Sequence, residues 1–303
     1  MDGADTDEES VRSLLRAQHP DLAQLSLRLV AGGWANRMWR LGDELALRLP
    51  RTTTGPSRLR HEQRWLPGLA QRLPLPVPAP VRAGEPSEVF PRSWAVTRWV
   101  PGEPGDRAAI SRGADSALAM AAFLRALHRP APAEAPSNPS RGISLRKLGR
   151  QFEERFAKVA PDAVPEGRAG ELRDVWEEAV AAAEWDGPPM WLHADLHPAN
   201  VVVSGGTLSG VIDFGELCAG DPASDLATAW LVLPDGSASR FLGSYGSADE
   251  SSVRRAKGWA VLHALSLVDI GRAGREGLPG GQPTWEPAGR RALARLLASR
   301  QAR

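Results

Sequence analysis

Cysteine is almost absent: Cys218 is the only one in 303 residues, so no intrachain disulfide can form and a cysteine-rich zinc site is excluded. A reducing cytoplasm is the expected compartment. No lysine precedes Lys147 and arginine takes its place, a bias that fits GC-rich coding better than nucleic-acid binding. Net charge is nearly absent too, since 37 Lys and Arg against 36 Asp and Glu leave +1. No global field therefore draws the chain to nucleic acid or to an anionic membrane. No apolar run approaches the roughly 20 residues that cross a bilayer. The first ten residues are acidic rather than basic, so neither a signal peptide nor a membrane span is expected. No internal repeat marks a solenoid, and no obligatory protein partner is evident. What is present is ordinary globular composition, 42% hydrophobic and 24% charged, which argues against disorder. Taken as a soft prior, the length predicts about two domains.

Between Leu25 and Leu49, short apolar runs are broken by Gly32-Gly33 and Gly42-Asp43, which predicts three antiparallel strands. Leu59, Trp65, Leu66 and Leu69 then recur at helical spacing within 57–72, predicting one main helix on that sheet. Pro74, Pro76, Pro78 and Pro80 rule out helix in the next stretch, and 94–100 reads as another strand. Beyond Pro101 helical patterns dominate: 114–128, 145–158, 171–185, 222–233, 253–270 and 289–302. Pro130 to Ser140 reads as an exposed loop. Within this helical region, two apolar runs flank Ser204-Gly205-Gly206, a hairpin signal. The organisation is α+β, with residues 1–98 as a small N-terminal lobe and 99–303 as a larger, mostly helical one.

Residues 193–200 read His-Ala-Asp-Leu-His-Pro-Ala-Asn, and Asp213-Phe214-Gly215 follows the hairpin. Phosphoryl transfer needs a carboxylate near the attacking hydroxyl and oxygen ligands for magnesium; positioning and charge neutralisation supply most of the rate. Asn200 and Asp213 offer such ligands, completed by phosphates and water, and Asp195 is then free to act as base. A lone Asp in a loop also makes turns or caps helices; the joint pattern is what points to chemistry. A metal pair of His193 and His197 lacks any further nitrogen or sulfur ligand in its loop.

The segment 193–200 resembles the catalytic segment of the aminoglycoside phosphotransferase family, antibiotic kinases with a two-lobed protein-kinase-like fold. The resemblance implies that Asp195 orients or deprotonates the acceptor hydroxyl, that His193 supports the loop, and that Asn200 and Asp213 hold Mg2+. It also implies that Asp225, within Asp-Pro-Ala-Ser-Asp-Leu-Ala at 221–227, braces the loop, and that 1–98 holds the nucleotide while 99–303 carries the catalytic loop, metal site and acceptor pocket. Protein kinases use a strand lysine for the phosphates. With none available here, Arg48 is the candidate and Glu62 its partner, although a solvated Arg48 and a surface Glu62 remain open. Gly32-Gly33-Trp34-Ala35-Asn36 could cover the phosphates or be a plain turn. Backbone around Arg98 to Val100, including Trp99, would read the base of ATP or GTP, with Ala46 on one side and Val202 or Ile212 on the other.

The acceptor is expected to be an antibiotic hydroxyl, aminoglycoside-like, macrolide or peptide, with resistance as the result. The alternative is a metabolic kinase acting on an amino alcohol, sugar or homoserine-like acceptor; a catalytically silent nucleotide-binding protein is a third reading. Asp106, Glu216, Asp221, Asp269 and Glu286 are conceivable pocket carboxylates or solvated surface charges, and Trp230, Tyr245, Trp259 and Trp285 conceivable pocket aromatics or core. A polypeptide acceptor is disfavoured because no Ala-Pro-Glu segment follows Gly215.

Overall fold

The computed structural model describes residues 6–30 and 36–301. By their internal contacts these fall into two compact units. The smaller comprises residues up to Gln71, Pro76–Val100 and Asp213–Gly215; the larger comprises Arg72–Leu75, Pro101–Ile212 and the chain from Glu216 onward. Most of the loop 32–36 expected over the phosphates lies outside the described residues.

The smaller unit contains α1 (Glu8–Gln18), β1 (Leu27–Val30), β2 (Asn36–Leu41), β3 (Leu45–Pro50), α2 (Gly55–Ala70), β4 (Pro80–Gly84) and β5 (Trp94–Arg98). Its antiparallel sheet runs in the order β1-β2-β3-β5-β4. Alternation decides what each face buries. Leu47 and Leu49 join Trp39, Leu41, Trp94 and Val96 in a core closed by Val11, Leu14 and Leu15 of α1. Ala46 and Arg48 point to the opposite face, where α2 brings Glu62. One main helix was expected on this sheet and α2 supplies it; α1 is a further helix that the sequence reading did not contain. Asp7 caps it by accepting from the Ser10 amide at 2.9 Å, and Val11, Leu14 and Leu15 form the apolar stripe that the acidic start of the chain obscures. The strand expected over 94–100 ends at Arg98. The proline run is non-helical as expected and leads into the edge strand β4, where Pro80 leaves no ladder hydrogen bond broken inside the sheet.

In the larger unit, β6 (Glu103–Pro104) precedes α3 (Gly113–Leu127), α4 (Gly149–Ala163) and α5 (Ala169–Ala181). Then come β7 (Met190–Leu192), β8 (Val201–Ser204), β9 (Thr207–Val211) and β10 (Cys218–Gly220). The chain continues through α6 (Ala223–Leu226), α7 (Thr228–Leu231), α8 (Ala238–Tyr245), α9 (Glu250–Arg275) and α10 (Trp285–Gln301). The hairpin β8–β9 forms as its sequence predicts, with Gly205 at φ 58° and Gly206 at φ 75°, the two positive values that a tight hairpin turn of this kind requires. One helix was expected over 222–233; two short ones form instead, α6 and α7. The long α9 packs against α10, α5, α4 and α6 and buries Trp259, Leu262, Leu265 and Val268. β7 pairs with β10, Leu192 opposite Cys218, and the catalytic segment begins directly after β7. Burial, with Asp225 and Glu216 nearby, pushes the Cys218 thiol up to about 12, so it is a small core residue and not a nucleophile.

Candidate active site

The loop after β7 is pinned by one carboxylate. Asp225 accepts from the His193 amide at 2.7 Å through Oδ2 and from the Ala194 amide at 2.8 Å through Oδ1. Its Oδ2 also lies 3.2 Å from His128 Nε2, and His128 Nδ1 lies 2.8 Å from the Tyr245 hydroxyl. Since a carboxylate only accepts, His128 donates through Nε2, and its Nδ1 is hydrogen-bonded to the tyrosine hydroxyl. Two adjacent amides held this way explain how Ala194 tolerates φ 68°, a conformation that non-glycine residues rarely adopt. His193 fastens the loop from the other side. Its Nε2 donates to the Ile212 carbonyl at 3.0 Å, and its Nδ1 accepts from the Asp195 amide at 3.3 Å.

This backbone presents Asp195. Asn200 Nδ2 donates to the Asp195 carbonyl at 2.9 Å and to its Oδ2 at 3.1 Å. Arg141 Nη2 stands 3.6 Å from Oδ1, and His197 Nε2 stands 3.6 Å from Oδ2. The side chain is 24% exposed. Partial burial raises its carboxyl, but the His197 ring and the Arg141 guanidinium outweigh that and hold it well below the usual carboxylate range, so Asp195 is ionised at neutral pH.

The Asn200 side chain donates through Nδ2 in each hydrogen bond recorded among the described residues, which leaves Oδ1, a hard oxygen donor, for another partner. Ile212 donates to the Asn200 carbonyl at 2.9 Å, and Asp213 is the next residue. Asp213 adopts φ 62°, and its Oδ1 takes the Gly215 amide at 3.4 Å. A side-chain amide oxygen and a carboxylate are each the kind of hard oxygen donor that magnesium prefers. Among the described residues no group of three or more His, Cys, Asp or Glu could hold a metal by itself.

In the smaller unit Arg48 and Glu62 meet: Nη1 is 2.5 Å from Oε2 and Nη2 is 3.1 Å from Oε1. Glu62 holds the buried guanidinium charged, against desolvation and with Asp213 adding to the pull. Ala46 is buried on β3; Trp99 donates its amide to the Glu44 carbonyl at 2.7 Å and carries the Arg40 guanidinium over its ring at 4.6 Å; Val100 is buried beside it. Val202 and Ile212 belong to the larger unit.

The acceptor-side carboxylates are committed elsewhere. Asp221 is buried and accepts two hydrogen bonds from Arg255, at 2.7 and 3.2 Å. Glu286 is buried between Arg275 and Arg290, and neither is the solvated charge that the sequence allowed. Asp269 bridges to Lys158 at 2.5 Å, Glu216 accepts from Asn138 at 2.7 Å, and Asp106 accepts from Thr284 at 2.6 Å while its buried Oδ1 has no hydrogen bond. Trp230, Tyr245 and Trp259 are core. Trp285 alone of the four aromatics reaches the loop, its ring centroid 4.6 Å from that of His197.

A sequence model described as the phosphotransferase enzyme family matches residues 26–265. The chain belongs to the phosphotransferase enzyme family. Among curated proteins it is similar to the homoserine kinase of Acidiphilium cryptum, 32% identical over 184 residues that cover 56% of this chain and 54% of that one. It is also similar to the homoserine kinase of Methylobacterium nodulans, 34% identical over 45% of this chain and 42% of that one. The chain thus spans about half the length of these relatives, or less. Among solved structures, the GDP complex of aminoglycoside 2'-phosphotransferase-IIIa aligns with TM-score 0.70, 19% identity and 97% and 99% of the two chains. A macrolide 2'-phosphotransferase from Brachybacterium faecium aligns with TM-score 0.57, 20% identity and 94% and 97%. These likenesses show the fold, the protein-kinase-like α+β architecture that the sequence resemblance implies.

Two residues of this phosphotransferase-family chain escaped the sequence reading. Arg141 reaches Asp195 from the end of the Pro-rich loop. That end is not free, because the Asn138 side chain accepts from the Ser140 amide, Asp221 donates its amide to the Gly142 carbonyl, and Ala219 donates to the Pro136 carbonyl. His263 lies within electrostatic reach of Asp195 and Arg141 from the middle of α9. Neither belongs to a motif, and nothing in their spacing announces them.

Proposed function

We propose that the chain is a magnesium-dependent phosphotransferase that moves the γ-phosphoryl group of ATP or GTP to a hydroxyl of a small molecule. The observation that carries this reading is the Asp195 carboxylate, ionised, oriented by Asn200 and mounted on a loop whose successive amides Asp225 holds. In this reading Asp195 accepts the hydrogen of the acceptor hydroxyl and aligns its oxygen for attack. A carboxylate this weakly basic takes the proton late, which suits a reaction dominated by positioning. Bound Mg2+ supplies charge neutralisation on the phosphates, with Asn200 and Asp213 as its protein ligands. Arg48, fixed by Glu62, contributes a fork of donors for phosphate oxygens. Ala46, Trp99, Val100, Val202 and Ile212 are the proposed base contacts, and His193 keeps the loop in register.

Two acceptor classes follow. The antibiotic reading, with resistance as its outcome, rests on the family resemblance. The metabolic reading, a small hydroxylated acceptor such as a homoserine-like one, is favoured by the Arg141 guanidinium beside Asp195, which would repel a polycationic antibiotic. The names of the curated relatives point the same way. The test is a transfer assay with Mg2+, ATP or GTP and a panel of antibiotics and hydroxylated metabolites. Asp195→Asn should lose about 10²- to 10⁴-fold in turnover while still binding nucleotide. Undiminished turnover in that variant sinks the assignment.

A further inference from the structure

Beside Asp195 the larger unit holds more unsatisfied donor capacity than the chemistry proposed above uses. The guanidinium of Arg141 donates through Nη1 to the Ser140 carbonyl at 3.3 Å. Its other edge, made of Nε and Nη2, makes no hydrogen bond: Nε is buried without a partner, and Nη2 stands 3.6 Å from Asp195 Oδ1, beyond hydrogen-bond distance. That edge is the fork that receives a carboxylate through two parallel N–H donors. His263 is 7% exposed, and its Nε2 is likewise buried without a partner. Burial, with Arg141 next in effect, pushes its pKa down to about 3; the ring is neutral at pH 7 and joins by hydrogen bonding rather than by charge.

Asp195 cannot serve as the counter-charge of Arg141 while it accepts a hydroxyl, so the fork beside it is left for another anion. Buried donors left unpaired carry a desolvation penalty, which a ligand that pairs them recovers.

We propose that Arg141 and His263 form a subsite for a carboxylate carried by the acceptor, so that the substrate is a small hydroxy acid or hydroxy amino acid whose hydroxyl lies at Asp195. Arg141 is then a specificity-determining residue. This rests on the phosphotransferase reading. The other anion that could reach the same fork is the phosphate in transfer, and the experiment separates the two.

Full-length protein with Mg2+ and ATP or GTP is assayed on L-serine, L-threonine and L-homoserine, each paired with its primary amide. The acid of at least one pair should be the better acceptor. Arg141→Gln should raise the KM of that acid about 10- to 100-fold while leaving the KM of its amide and of the nucleotide unchanged. An equal rise for acid and amide, or a rise confined to the nucleotide, overturns the proposal, the latter by assigning the fork to phosphate. Should Arg141→Gln fail to fold, the unaltered enzyme decides: a kcat/KM for the amide equal to or above that of the acid overturns the proposal. Transfer only to acceptors without a carboxylate overturns this inference and leaves the phosphotransferase reading standing. Absence of phosphoryl transfer to any acceptor, antibiotics included, overturns both.

Discussion

Arg48 on β3 and Glu62 on α2 form a two-armed ion pair inside the smaller unit, with the side chains 8% and 1% exposed. Breaking one side of a buried pair leaves a desolvated charge behind, which costs about 3–5 kcal/mol. Replacing both partners with apolar groups of similar size is far milder. Urea denaturation should therefore show Glu62→Gln losing several kcal/mol, and Arg48→Met with Glu62→Leu recovering most of it. Nucleotide affinity should fall in both. A single variant as stable as the parent would mean that the pair does not hold α2 to the sheet.

Asp225 touches no reacting atom in the proposed scheme and acts as a positioning residue. Asp225→Asn turns one of its two oxygens into an NH2 group facing amide N–H donors, so one loop contact becomes repulsive. The one hydrogen bond lost to a charged acceptor amounts to roughly 1.5–3 kcal/mol. Steady-state kinetics should show kcat falling and the acceptor KM changing little. A KM effect with kcat intact would assign Asp225 to binding.

The depressed pKa of His263 has a definite sign in stability. Its value when folded is about 3 against an ordinary 6.5, so the unfolded chain binds more protons between those limits and stability rises with pH there. Stability due to this group is complete above pH 6.5 and is lost as the pH falls toward 3, on the order of 5 kcal/mol across the window. Asp195, also depressed, adds the same sign only below its ordinary value near 4. His263→Phe should flatten the pH dependence of thermal unfolding between pH 6.5 and 4. An unchanged slope there contradicts the burial of a neutral ring.

Gly220 faces Gly142 so closely that a Cβ at 220 would stand 2.3 Å from the Gly142 carbonyl oxygen. Gly220→Ala must push the loop that carries Arg141 away from β10. Overpacking of this kind costs about 1–3 kcal/mol. The variant should unfold at lower urea concentration, and its acceptor KM should rise more than its nucleotide KM; equal changes in both would separate this contact from the acceptor side.

The parts of the site that sequence makes legible are those drawn from one contiguous stretch. Asp195, Asn200 and Asp213 are linked by a short loop and a hairpin, and their spacing is visible without knowing the fold. The Arg48 and Glu62 pair is legible through the family resemblance, which implies a cation at the end of the third strand and a glutamate on the helix that follows. Arg141 and His263 are not legible, since tertiary packing brings them to Asp195 from a proline-rich loop and from mid-helix. In α1 the apolar stripe was present but sat within an acidic opening, and charge masked period. Helix ends were misjudged by a few residues where a 3-10 turn, Leu145–Leu148, or a break at Ala227 interrupts the pattern.

Ala194 keeps a left-handed backbone where glycine would be at ease. Glycine at this position would relieve roughly 1 kcal/mol of strain and at the same time let the loop wander through shapes that alanine forbids. The methyl group thus acts as a ratchet pawl: once Asp225 has drawn the two amides home, the backbone has few alternatives to slip into, and the aim of the neighbouring carboxylate stays narrow at the expense of thermal robustness.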